Sequence, residues 1–170
     1  MAVVVWCLWV CPSKRHPVAM PIQSPAARPC GTCPYRRDCP SGIWTGETYG
    51  RLVLYDLPTA LQPNRVFLCH LQDTATGRRV CGGWAGTHDT EQLLGLRYAV
   101  IDGDMTAETL QAILVYRSPV PLFESGKAAY EHGIRDINNP SPEAQAAISR
   151  IERTRTDLIY LDGPERTSTR

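Results

Sequence analysis

The chain has 170 residues, enough for one domain that buries its own core without covalent staples. A hydrophobic share of 43% beside 21% charged residues excludes a disordered polyelectrolyte, and a net charge of +1 excludes a protein built to coat nucleic acid. The charge is unevenly spread: Lys14, Arg15, Arg28, Arg36, Arg37, Arg51, Arg65, Arg78 and Arg79 outweigh the acids before Val80, and acids outnumber bases after it.

Residues 1–19 look foreign to the rest. The run Val3-Val4-Val5-Trp6-Cys7-Leu8-Trp9-Val10 is apolar but has no period, cap or turn partner. Lys14 and Arg15 follow the apolar stretch, the reverse of a secretory signal, and the stretch is too short to span a bilayer. Translation is expected to begin at Met20, with residues 1–19 an upstream extension or tail. A cytoplasmic protein with no membrane attachment is the resulting expectation. In that compartment seven cysteines, an odd number, read as ligands rather than disulfides.

Residues 20–43 are punctuated by Pro21, Pro25, Pro29, Gly31, Pro34, Pro40 and Gly42, which forbids a long helix. A short helix is expected from Thr45 to about Asp56, with Glu47 in its first turn and Pro58 beyond its end. Residues 65–71 read as an extended segment, and a polar turn follows from Gln72 to Arg79. Cys81-Gly82-Gly83-Trp84 reads as a tight loop able to wrap a bound group. Asp89 or Thr90 is expected to cap a helix to about Ile101, with Gln92 placed for a capping box. Its apolar residues lie nearly all round, so it is expected to be buried.

Thr106 starts the next helix, although periodicity allows residues 112–116 to be a strand. Ser118-Pro119-Val120-Pro121 is a break, and residues 124–136 are weakly helical. Ser141-Pro142-Glu143 marks a helix start, with Ala144, Ala147, Ile148, Ile151 and Leu158 on its inner face. A polar tail begins at Gly163. The fold class is therefore mainly α: a small irregular α+β domain over residues 20–162, loop-rich in its N-terminal third and helical in its C-terminal half.

Chemistry concentrates in the cysteines. In Cys30-Gly31-Thr32-Cys33 the two-residue gap lets both sulfurs face one point, as two ligands of a tetrahedral ion must. A redox pair would need a strand leading in and a helix N-terminus behind it, which Pro29 and Pro34 do not supply. Cys39 extends the pattern to C-x2-C-x5-C, Cys69-His70 adds a thiolate beside an imidazole, and Cys81 heads the glycine pair. The helical half from Glu91 onward holds no cysteine, so the distribution is hard to explain by core packing. Adjacent residues of an extended strand point oppositely, which favours Cys69 over His70 as a ligand. Cys39 and His70 stay alternative ligands, while His88 and His132 read as surface or packing residues.

Trp44 and Trp84 are expected to shield the centre, and Arg36 and Arg37 to favour the thiolate form beside it. Proline after cysteine, as in Cys33-Pro34 and Cys39-Pro40, fits an iron–sulfur habit, and four irregularly spaced cysteines suit a [4Fe-4S] cluster. Zinc is the alternative.

The runs Pro29-Cys30-Gly31-Thr32-Cys33-Pro34-Tyr35-Arg36-Arg37-Asp38, Pro40-Ser41-Gly42-Ile43-Trp44, Phe67-Leu68-Cys69-His70 and Cys81-Gly82-Gly83-Trp84 closely resemble an uncharacterised family. Its members are small actinobacterial and actinophage proteins known only as a domain of unknown function. Pro121-Leu122-Phe123 and Ser125-Gly126 extend the resemblance over residues 20–158. It implies Cys30, Cys33, Cys69 and Cys81 as the shared cysteines and sets Cys39 apart. The chain is similar, less closely, to the WhiB-like iron–sulfur regulators, through Cys30, Cys33, Cys39 and the Gly42-Ile43-Trp44 turn. That likeness implies an upstream ligand such as Cys7 or Cys11.

No nucleophile–base pair, phosphate loop or helix-borne HExxH is present, so a non-catalytic sensing or regulatory factor acting through a protein partner is expected. Two other classes stay open. One is a zinc-stabilised interaction or nucleic-acid-binding module using Arg36, Arg37, Arg78 and Arg79; the other is a metal-dependent enzyme.

Overall fold

A computed structural model describes residues 20–71 and 77–155. The extension at 1–19 with Cys7 and Cys11, most of the turn expected after Gln72, Leu158 and the tail from Gly163 lie outside the described residues. Within them the fold is mainly α, as six helices and one small sheet. Strand β1 (Ile22–Gln23) runs parallel to β2 (Arg78–Arg79), with Ile22 opposite Arg78. On the far side of β2 the segment around Leu68 runs antiparallel, with Leu68 opposite Val80. A ribbon of three short rows results, and it carries Cys69 and Cys81.

Helix α1 (Gly46–Val53) starts where the Thr45 side chain accepts the Thr48 N–H, and it buries Tyr49 and Leu52. A 3-10 turn at Leu54–Asp56 continues it to Pro58. Helix α5 (Gly126–Gly133), capped by Ser125, packs across α1. The contact depends on Gly126 and Gly133, seven residues apart and so on one face. A Cβ on the first would strike the Leu52 carbonyl, and on the second the Tyr49 ring. The Asp56 carboxylate accepts the N–H groups of Gly126 (2.9 Å) and Lys127 (2.7 Å), placing negative charge at the positive end of α5.

Two elements differ from the sequence expectation. The Cys81-Gly82-Gly83-Trp84 run opens a helix, α2 (Gly82–Thr87), instead of a tight loop. Gly82, Gly83, Trp84 and Ala85 are all buried, so the packing of this turn outweighs the entropy its glycines lose. The capping box at Asp89 does not form. Asp89 accepts only the Glu91 N–H and opens a 3-10 turn at Thr90–Gln92, after which an extended Leu93 precedes α3 (Leu94–Ile101). Nor is α3 buried all round. Gly95, Leu96 and Ala99 face inward, whereas Ile101 is 77% exposed. The short leading turn rotates the apolar residues away from a single central position.

Helix α4 (Ala107–Leu114), capped by Thr106, buries Ile113, so the segment from 112 to 114 is helical rather than a strand. Helix α6 (Pro142–Thr154) follows its Ser141 cap and buries Ala144 and Ile151. The core gathers Trp84, Tyr49, Leu52, Leu93 and Val80 with Ile22, Cys33, Tyr35, Cys39, Ile43 and Trp44 of the irregular N-terminal third. The proline-rich segment is therefore part of the core, held by specific hydrogen bonds.

Candidate metal centre

Each pair of cysteines is positioned by a local backbone device. In the CxxC loop the Cys33 N–H donates to the Cys30 carbonyl (3.1 Å), closing a turn that puts both side chains on one side. In the ribbon the Cys69 N–H donates to Arg79 and the Cys81 N–H to Phe67, each at 2.8 Å. These bonds flank the Leu68–Val80 pair, so Cys69 and Cys81 lie diagonally across the ladder on one face. The two devices meet: the Cys33 and Cys81 sulfurs are 3.6 Å apart, although 48 positions separate them in the chain.

The sulfurs form a run of neighbours in the order Cys69, Cys30, Cys33, Cys81. All are free thiols, with Cys33 and Cys81 buried and Cys30 and Cys69 half-buried. Among the described residues no group of three or more His, Cys, Asp or Glu side chains is placed to hold a metal ion. The sulfurs are thus gathered as a run and not as a closed tetrahedron.

Charge is shared unequally along it. Hydrogen bonds from Cys33 and then Cys69 pull the Cys30 thiol down to about 3. Cys33 is pushed up as the donor to Cys30, with Cys81 and burial adding to the effect. Cys69 is pushed up by its hydrogen bond to Cys30 and then by burial. Binding a cation would displace protons from Cys33 and Cys69 onto solvent.

Among the described residues the buried Tyr116 hydroxyl has no hydrogen-bond partner, and it is pushed up to about 12 by burial and by the sulfurs of Cys81 and Cys33. It is a donor in want of an acceptor, and neither the Cys33 nor the Cys81 sulfur makes a hydrogen bond to it here. Close packing also fixes the inner sulfurs: a Cβ on Gly83 would collide with the Cys33 sulfur and would lie 2.8 Å from the Tyr35 Cβ.

Other residues expected around the site divide clearly. Trp44 donates its indole N–H to the Thr32 carbonyl inside the CxxC loop (2.8 Å). Arg36 is buried, and its guanidinium binds the Pro29 and Cys30 carbonyls and the Asp38 carboxylate, clamping the same loop. Trp84 lies fully buried beneath, against Tyr55 and His88. Arg37 points away, to the Leu122 carbonyl and Glu124.

Cys39 is 4% exposed, and burial pushes its thiol up to about 12; it lies in the core and outside the run of sulfurs. The His70 ring packs on Trp44 (4.5 Å between centroids) and Phe67 (5.0 Å), and burial holds its pKa down to about 4. It is a neutral packing group beside Cys69.

Tyr35, His88 and Asp56 form a linked set that no motif announced. The His88 Nε2 meets the Tyr35 hydroxyl at 3.2 Å, and Nδ1 lies 3.5 Å from Asp56. With Nε2 hydrogen-bonded, Nδ1 beside Asp56 and Asp56 capping α5, the set ties α2 to α5. Only distance along the chain hid it, since 32 positions lie between Asp56 and His88 and 53 between Tyr35 and His88.

Comparison with known proteins gives a match to DUF6283, a family of unknown function, over residues 25–155. No curated protein and no solved structure matches.

Proposed function

We propose that this chain, which belongs to the DUF6283 family of unknown function, is a small non-catalytic metal-binding protein that acts through a protein partner. Cys30, Cys33, Cys69 and Cys81 are the ligands. The observation that carries the reading is the 3.6 Å approach of the Cys33 and Cys81 sulfurs, with Cys30 and Cys69 next to them. Two thiolates on one tetrahedral zinc stand about 3.8 Å apart, from Zn–S bonds of about 2.3 Å. Thiolates on different irons of a [4Fe-4S] cube stand farther apart, because each projects outward from its own metal. The spacing therefore favours zinc, the alternative of the sequence reading, over the cluster.

Four protein ligands leave no open position for substrate or water, which argues against a metal-dependent enzyme. The arginines that a nucleic-acid reading would use are occupied within the fold. Arg36 and Arg37 are bound as described, Arg78 pairs with Asp104 (3.3 Å), and Arg79 binds the Ser24 carbonyl and Gln23. The metal is structural in this reading: it joins the CxxC loop to the ribbon and so organises the irregular third of the chain.

The test is elemental analysis of full-length protein purified under anaerobic conditions. One zinc per chain is expected. A brown, iron-containing sample would transfer the reading to the cluster, and a metal-free sample that stays metal-free after zinc addition would end it.

A further inference from the structure

We infer that the open edge of the cysteine ribbon is a docking groove for an extended, acidic segment of the protein partner. Leu68 faces Val80 in a pair whose flanking hydrogen bonds belong to Phe67, Cys69, Arg79 and Cys81. By the alternation of an antiparallel ladder, the N–H and C=O of Leu68 point to the other side. They take no hydrogen bond among the described residues. Residues 65–68 all line one groove of about 470 Å³. Val66, Phe67 and Leu68 follow the bend at Arg65, so the groove passes the segment that carries the Leu68 edge.

The groove's chemistry selects the occupant. Its wall is apolar, with Val66, Phe67 and Leu68 on the strand and Leu54, 43% exposed, across from them. Its charges are of one sign: Arg51 and Arg65 line it, and no Asp or Glu does. Arg51 is tied to Glu47 one turn earlier on α1, while the exposed Arg65 guanidinium has no carboxylate partner among the described residues. An unpaired strand edge supplies backbone bonds, an apolar wall takes alternate side chains, and two arginines favour carboxylates. Together they fit a strand added from another protein, apolar at every second residue and acidic between. Cys69 lies next to Leu68, so the partner would dock directly beside the metal ligands. This inference rests on the partner-directed half of the reading above and not on the metal.

The probe is an acetylated, amidated heptapeptide of alternating Glu and Val, titrated into full-length, isotope-labelled protein followed by amide NMR. Zinc content is measured on the same samples. Shifts centred on residues 65–68 and slowed exchange of the Leu68 N–H are expected, with binding weakened about tenfold by Arg65→Glu at unchanged zinc content. A counterpart with Lys in place of Glu is expected to bind about tenfold less tightly.

Four results would overturn the inference: no shifts at these residues up to about 1 mM peptide, equal binding of the Lys peptide, preferential binding of oligothymidylate to the same residues, or a Leu68 N–H already protected in the free protein. The last would mean that the chain's own residues take the edge. Zinc-loaded protein that ignores the peptide fails the groove alone, and metal-free protein that binds it fails the metal reading alone.

Discussion

Substituting Gly83 by Ala tests how α2 fixes the inner ligand. An Ala Cβ at this position would lie 2.8 Å from the Tyr35 Cβ and closer still to the Cys33 sulfur, where ordinary contact is about 3.5–4.0 Å. Tyr35 is fully buried and has no room to retreat, so the strain is taken up by Cys33, α2 or both. Overpacking of this kind costs about 1–3 kcal/mol, and the better helix propensity of Ala returns at most about 1 kcal/mol.

A net loss near 1 kcal/mol is expected in metal-free protein. Because Cys33 must also move, zinc affinity is expected to fall at least about tenfold, or about 1.4 kcal/mol. Gly50→Ala is the control. Gly50 sits inside α1 with nothing within 4 Å of the point an added methyl would occupy, so the same change should stabilise by about 0.5–1 kcal/mol and leave zinc untouched. Urea unfolding with and without zinc, together with chelator competition, reads both quantities. A Gly83→Ala protein as stable as the native one, with unchanged zinc affinity, would refute the claim that close packing of α2 pins Cys33.

Three further outcomes follow from the geometry. Serine at Cys30, Cys33, Cys69 or Cys81 should abolish stoichiometric zinc, whereas Cys39→Ala should keep it and cost only about 1 kcal/mol of stability; retention of zinc by Cys69→Ser or Cys81→Ser would contradict the ligand set. Tyr116→Phe should weaken zinc binding several-fold while leaving metal-free stability nearly unchanged, because the hydroxyl has no acceptor among the described residues and a zinc-bound thiolate would be its first. Equal losses in both measurements would make Tyr116 a packing residue only. Burial lowers the His88 pKa from 6.5 despite the opposing pull of Asp56. The unfolded chain therefore takes up a proton before the folded one does. His88 contributes stability fully above about pH 6.5, and that contribution falls as pH drops toward the depressed value. Urea midpoints should decline from about pH 7.5 to about pH 5 more steeply for native protein than for His88→Gln, and parallel slopes would refute the assignment.

The caps at Thr45, Thr106 and Ser141, the proline breaks and the inner faces of α1 and α6 are written in local sequence. Each depends on residues within a turn of one another, so spacing alone reveals them. That cysteines mark the candidate site was legible for a related reason: they crowd the loops and are missing from the helical half after Glu91. Which cysteine stands apart was less visible. Cys39 shares its spacing with the CxxC pair, and position separates it from the run, since it shares no hydrogen bond with the other sulfurs.

Local sequence determined that the chain is mainly helical, where most of its helices begin, and that thiols from an irregular segment are its chemical signature. Tertiary structure alone decided the rest. It made a helix of Cys81-Gly82-Gly83-Trp84, because burying that turn against Cys33 and Tyr35 is a gain no local propensity contains. It brought two sulfurs 48 positions apart to 3.6 Å, joined Asp56 to His88, and left the Leu68 N–H and C=O without a hydrogen bond among the described residues. Such contacts arise from packing between distant segments, whose free energy is paired across the fold and has no period along the chain.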